Sequence, residues 1–262
     1  MKSGLQTHIN GWVDPAELAA HYTLGVRVAR IDAMESTPDL MLESVHNAEA
    51  AGMEVIPTLA DPAFIALLHG NNRLVECRNE DDGDMSARAY RKILDEFCAE
   101  AAKYDVRVLG GVGSNTDDDT IEWGNEVRDI GGGWPATMYG VSWHTYGPYP
   151  HLGFKPRPDG TRAEFEWLLA MVAGLPLYIT EFGVPNTGGM SEQEQADYIA
   201  HEWKVIADEL HPVAACLFQC HDGKDPHEDE DRFGIRRCNA QGELEALGIW
   251  KPVAYTFPLG DG

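Results

Sequence analysis

The chain lacks any stretch that approaches the roughly 18 apolar residues a membrane-spanning helix needs, so no crossing segment is expected. Its first residues, MKSGLQTHINGWVDPAEL, contain no apolar core of a secretory signal. Positive charge is scarce: Lys plus Arg is 20 against 43 Asp plus Glu, a net charge of −23 over 262 residues. Such a field repels phosphate backbones and anionic lipid, which argues against nucleic acid and membrane surfaces as partners. The phosphate-binding glycine patterns are also missing. The turn after the first apolar run reads His8-Ile9-Asn10-Gly11-Trp12, and no GxxxxGK[ST] occurs. Cysteine is limited to five residues (Cys77, Cys98, Cys216, Cys220, Cys238) without metal-ligand spacing. Free, buried thiols in a reducing compartment fit that set; with no signal in these first residues, a cytoplasmic or phage-associated location is the expectation. A secreted protein stripped of its signal would read the same.

What the sequence does have is a beat. Short apolar runs at Leu5–Ile9, Val26–Ile31, Glu54–Leu59, Arg73–Cys77, Val106–Val112, Tyr139–His144, Leu175–Thr180 and Val213–Phe218 alternate with longer amphipathic segments. The runs are mostly continuous rather than alternating, the mark of parallel strands buried on both faces. Asp14-Pro15, Thr37-Pro38 and Asp61-Pro62 each place a capping residue before a proline that starts a helix, and Ser191 with Glu194 has capping-box spacing. Eight strands in strict alternation with helices form either a closed barrel or an open doubly wound sheet. Without a nucleotide fingerprint the closed (β/α)8 TIM barrel is the expectation, as one domain over residues 1–262. Gly110-Gly111-Val112-Gly113 is then read as tight backbone packing at a strand end.

In such a barrel the chemistry sits at the C-terminal ends of the strands. Arg30 and Asp32 end strand two, Asn79 and Glu80 strand four, His144 and Tyr146 strand six, Glu181 strand seven, and Gln219, His221 and Asp222 strand eight. Glu80 and Glu181 stand three strands apart around an eight-strand ring, facing each other across one mouth. Paired carboxylates of this kind suit glycosidic cleavage, one protonating the leaving oxygen and the other attacking the anomeric carbon. Arg30 suits holding a carboxylate ionised, and Tyr146 suits donating to the same group. Asn79 suits a sugar hydroxyl, and an apolar wall at Phe182 would raise the pKa of the acid.

These residues carry a resemblance. Glu76-Cys77-Arg78-Asn79-Glu80, Pro176–Gly183 around Glu181, Val141–Tyr146 with its His-x-Tyr end, and Gly25–Asp32 with Arg30 occur in the order found in the retaining glycoside hydrolases of clan A. Families 39 and 5 are the nearest in pattern. The resemblance implies a TIM barrel with Glu80 as acid/base and Glu181 as nucleophile. It also implies a covalent glycosyl-enzyme, net retention, a mostly β-linked oligo- or polysaccharide substrate, and no cofactor or metal. Arg30, Asn79, His144, Tyr146 and Trp12 would bind substrate. Short βα connections suggest an open groove and endo action, with the longer sixth and eighth loops as walls. The sequence departs from the pattern at strand eight, where the usual Trp is absent from Phe218-Gln219-Cys220-His221-Asp222: Cys220 stands at its position, and Phe218 or an aromatic from another loop would substitute. Two other readings stand beside this one: a sugar-binding barrel without turnover, and a metal-dependent hydrolase using the acidic His-containing tract 221–231. Trp123, Trp134, Tyr149 and Phe154 are further candidates for sugar stacking or packing.

Overall fold

The computed structural model describes residues 1–7, 14–69, 73–111, 113–114, 118–146, 163–186, 190–220, 233–236 and 250–256. Eight parallel strands bond in chain order and the last returns to the first. They are β1 (Lys2–Thr7), β2 (Val28–Asp32), β3 (Glu54–Leu59), β4 (Leu74–Cys77), β5 (Arg107–Gly110), β6 (Met138–His144), β7 (Leu177–Phe182) and β8 (Ala214–Leu217). The crossovers carry α1 (Pro15–Thr23), α2 (Pro38–Ala50), a 3-10 helix (Pro62–Leu68), α3 (Ala87–Ala101), α4 (Asp118–Asp129), α5 (Ala163–Val172) and α6 (Glu192–Val205). α6 continues into a π-helical turn (Ile206–Leu210), and a short α7 (Val253–Thr256) follows β8. The fold is the closed (β/α)8 barrel. Among the described residues, no helix is long and apolar enough to cross a membrane.

The helix starts follow from their capping chemistry. Asp14 accepts from the Ala16 N–H at 2.8 Å, Thr37 from Leu40 at 3.4 Å and Asp61 from Ala63 at 2.8 Å, each followed by proline. Ser191 and Glu194 complete a reciprocal capping box. The segment after Asp61 is a 3-10 helix rather than an α-helix. Its two buried residues, Ile65 and Leu68, are three apart and so stack on one face of a three-residue turn. β1 begins at Lys2, three residues earlier than the apolar run predicts, because Lys2 pairs with Ala214 of β8 and its amine binds Glu54. The glycine cluster packs as expected: a Cβ on Gly110 would meet Leu94 at 2.5 Å and one on Gly113 would meet Trp143 at 2.4 Å. Cys77, Cys98, Cys216 and Cys220 are buried free thiols.

Strand parity sorts the barrel into layers. Outward-facing Ala29, Ile31, Val75, Cys77, Val108, Val141, Ile179 and Leu217 join the main core under the helices. Inward-facing Val28, Ile56, Leu74, Leu109, Tyr178, Ala214 and Cys216 form a second apolar cluster that fills the barrel's lower half. Two residues further along their strands, on the same inward face, lie Arg30, Thr58 and Glu76, with Gln6 as the β1 partner of Arg30. All four are buried. A polar layer therefore rests on an apolar floor, directly beneath the mouth.

Gly4 marks where the floor is tightest, since a Cβ there would stand 2.4 Å from the Cys216 sulfur and 3.2 Å from the Ala215 carbonyl oxygen. Gly4→Ala is expected to cost about 1–3 kcal/mol by overpacking. Cys216→Ala in the same chain should restore most of that loss, a non-additivity readable in a double-mutant cycle of urea unfolding.

Candidate active site

Arg30 organises the polar layer. It is 1% exposed, and each guanidinium nitrogen is engaged. Nε donates to Glu76 Oε2 at 2.5 Å, Nη1 donates to Gln6 and to Glu181 Oε1, and Nη2 donates to Asn79 Oδ1 at 2.6 Å. Burial alone would disfavour its charge, but Glu76 and Glu181 more than offset that and raise its pKa. Asp32 is not its hydrogen-bond partner; that carboxylate accepts from the Met34 N–H at 3.1 Å. With Asn79 Oδ1 committed to Arg30, the amide NH2 is the end left to donate.

Glu181 reaches this cluster through an irregularity in β7. Ile179 and Phe182 both face the outer core although they are three positions apart, and the β7–β8 register shifts between them. The extra residue breaks the alternation and turns Glu181 inward. His144 of β6 pairs with Glu181 across a matching shift. Glu181 Oε2 accepts from the Tyr146 hydroxyl. Its side chain is only 4% exposed.

Glu80 comes from a contorted strand end. Arg78 (φ 65°) and Glu80 (φ 49°) both lie in the left-handed region, which side-chain-bearing residues avoid. The turn is held by Arg78 donating to both oxygens of buried Asp81 at 2.6 and 3.1 Å, and by Asp82 accepting from the Ser114 N–H and hydroxyl at 2.9 and 2.7 Å. From α3, Tyr90 donates to the Cys77 carbonyl at 3.2 Å and accepts from the Gly111 N–H at 2.9 Å. Burial pushes the Asp81 carboxyl up further than Arg78 pulls it down.

The two glutamates meet at His144. Its Nδ1 lies 2.7 Å from Glu80 Oε1 and 3.6 Å from Glu181 Oε2. One donor atom from each of the three residues falls within 4.8 Å of the others, so a carboxylate oxygen of Glu80 stands within that distance of one of Glu181. The trio has the chemistry of a metal-ligand set, yet its donors are already engaged with one another, Arg30 and Tyr146. Burial pushes the Glu80 carboxyl up, but the hydrogen bond and charge of His144, with Arg30 behind, pull it below the ordinary range. Burial likewise opposes the His144 cation, and Glu181 and Glu80 together raise its pKa above the ordinary imidazole value. The expected apolar wall at Phe182 is absent: its ring faces outward against Trp203, 6.0 Å between centroids. The partner that governs Glu80 is an imidazole, and the shift is downward.

Of the residues picked from sequence, Arg30, Asn79, Glu80, His144, Tyr146 and Glu181 are brought together. Trp12, Tyr149, Phe154 and the tract 221–231 lie outside the described residues. Trp123 and Trp134 pack structurally, their indole N–H groups donating to the carbonyls of Met85 and Met171 at 3.1 Å each. At strand eight, Cys220 is buried with its N–H on the Gln6 carbonyl, whereas half-buried Phe218 stands edge-on to Tyr146 at 6.2 Å. Phe233 joins them, 5.2 Å from Phe218 and 5.9 Å from Tyr146. Sequence reasoning missed Glu76 and Gln6, which lie inside strands, below the ends where site residues were sought. A charged residue at even offset from Leu74 was the available signal for Glu76.

No protein-family model and no curated protein matches the sequence. Solved structures do match over nearly the whole chain. A family 39 glycoside hydrolase from the gut symbiont Bacteroides cellulosilyticus WH2 is 17% identical with a TM-score of 0.67, over 97% of this chain and 61% of that one. The present chain therefore spans less than two thirds of that relative. A GH5_18 protein from Streptomyces cattleya, solved with GlcNAc, is 12% identical with a TM-score of 0.70, over 97% of this chain and 78% of that one. A family 17 β-1,3-glucanosyltransferase from Rhizomucor miehei is 13% identical with a TM-score of 0.61, over 92% and 94%. At these identities the likeness shows a shared fold with the clan A glycoside hydrolases.

The Glu80–His144 contact has a defined pH signature. The lowered Glu80 contributes stability above its ordinary value of 4.5, lost as pH falls through its folded pKa; the raised His144 contributes below its ordinary 6.5, lost as pH rises through its folded pKa. The contact is thus fully stabilising between those two ordinary values. Glu80→Gln is expected to move the His144 titration, followed by imidazole NMR, downward. An unmoved or raised titration would show that Glu80 does not hold the imidazole proton.

Proposed function

We propose that this chain is a retaining glycoside hydrolase that cleaves β-linked oligo- or polysaccharide by double displacement. The observation that carries the reading is the approach of Glu80 and Glu181 to within 4.8 Å between carboxylate oxygens. That approach goes with the short separation of retaining enzymes, about 5–5.5 Å between carboxyl groups, rather than the roughly 6.5–9.5 Å of inverting ones. The sugar-bound relative and the shared barrel support a carbohydrate as the ligand.

The roles divide by environment. Glu181, clamped by Arg30 and Tyr146 and almost fully buried, has a fixed aim and suits attack on the anomeric carbon. Glu80 is 37% exposed on its side chain, as an acid that must reach both a leaving group and an incoming water requires. Its proton is held in the 2.7 Å contact with His144. Transfer across that bond puts the proton on Glu80, which delivers it to the departing oxygen. The pair titrates as a unit. In the second half, Glu80 takes a proton from water, which displaces the sugar from Glu181. Asn79 suits a hydrogen bond to a sugar hydroxyl, and Phe218 with Phe233 offers apolar surface beside Tyr146. Endo action on a polysaccharide is part of this reading, from the short βα connections of the sequence.

A panel of 4-nitrophenyl β-glycosides tests the reading. The wild type should hydrolyse at least one, and the first product seen by proton NMR should be the β-anomer. An α-anomer first would mean inversion and overturn the mechanism. Glu181→Gln should lower turnover on that substrate on the order of a thousandfold or more, and near-normal turnover would remove its role. On the matching polysaccharide, early chromatographic samples should contain oligosaccharides; monosaccharide alone from the first minute would exclude endo action.

A further inference from the structure

Glu76 has no part in the steps above, yet it makes a fully buried ion pair in the barrel interior. It is 0% exposed on β4, its Oε2 lies 2.5 Å from Arg30 Nε, and the same oxygen accepts from the Thr58 hydroxyl at 2.8 Å. Arg30 thus carries one positive charge between two carboxylates, Glu76 behind it and Glu181 in front.

We propose, resting on the glycosidase reading, that Glu76 is a positioning residue that keeps Arg30 charge-compensated while Glu181 is consumed in the covalent step. In the first displacement a Glu181 oxygen bonds to the anomeric carbon. The bond from that carbon to the leaving oxygen breaks, and the leaving oxygen takes the Glu80 proton. Glu181 passes from a carboxylate to a neutral ester. The new negative charge appears on Glu80, which lies against His144. Arg30, out of water, would then keep no carboxylate on its own nitrogens if Glu76 were neutral, and a buried charge stripped of its bonded partner is strongly disfavoured. With Glu76 in place the guanidinium keeps one counter-ion throughout, and its aim on Gln6 and Asn79 is unchanged. In the second displacement water gives its proton to Glu80 and its oxygen to the anomeric carbon, the ester bond breaks, and Glu181 regains its charge. Removing the Glu76 charge therefore penalises the first step and assists the second. A residue that merely supported the fold would slow both.

The test separates the steps in the full chain. The probe is the 2,4-dinitrophenyl 2-deoxy-2-fluoro-β-glycoside of whichever sugar the panel identifies. Phenolate release reports formation of the glycosyl-enzyme, and return of activity after removal of the reagent reports its hydrolysis. In Glu76→Gln the first rate constant should fall roughly 100-fold, while the second should equal or exceed that of the wild type. Equal slowing of both steps, or no change in either, overturns the assignment and leaves the glycosidase reading standing. A wild type that neither hydrolyses any of the panel nor carries the label on Glu181 overturns the glycosidase reading itself, and this assignment with it. Should Glu76→Gln not fold, Glu76→Asp decides: the charge is kept, so the ratio of the two rate constants should stay within about threefold of wild type. A ratio shifted tenfold or more overturns the assignment.

Discussion

Arg30 holds its whole guanidinium out of water, and a charge so placed must be answered at every nitrogen. The answers come from four residues of three strands: Gln6 of β1, Glu76 of β4, Asn79 just beyond β4, and Glu181 of β7. The barrel's cross-section is thereby tied through one side chain at the level where its mouth begins. Among the described residues, the next layer down is an apolar one that includes Val28, Ile56, Leu74 and Leu109. The position of Glu181 is a consequence of this demand as much as of its own strand.

The two glutamates are made different by their surroundings. Glu181 is fixed by a cation and a phenol; Glu80 is presented by a contorted turn and meets an imidazole. The strain at Arg78 and Glu80 is tolerated because the turn is pinned from three sides: by Asp81 within it, by Asp82 to Ser114 after β5, and by Tyr90 from α3. Local backbone cost is thus met by contacts made several elements away, the usual circumstance of a functional turn.

The barrel was legible because its signals are local and repeated. Continuous apolar runs mark strands buried on both faces, and a capping residue before proline marks a helix start whatever lies around it. The 3-10 helix after Asp61 escaped because its cap is identical to that of an α-helix. Among site residues, those at strand ends could be named since the fold puts function there. Glu76 could not, since a search confined to ends passes over a charge buried mid-strand. The inward turn of Glu181 depends on one extra residue in β7, and alternation read from the sequence sends it outward. Phe182 illustrates the reverse error: adjacency to a glutamate in sequence suggested adjacency in space, and the same irregularity put the two on opposite faces.

Among the described residues, an apolar floor closes the barrel beneath the polar layer. Whatever reaches Arg30 and the two glutamates must come by the C-terminal mouth, and whatever is released must go back the same way. Arrival and departure then compete for one doorway, and half-exposed Glu80 stands in it. On the proposed double displacement, order is imposed by traffic: the first leaving piece clears the threshold before its replacement enters.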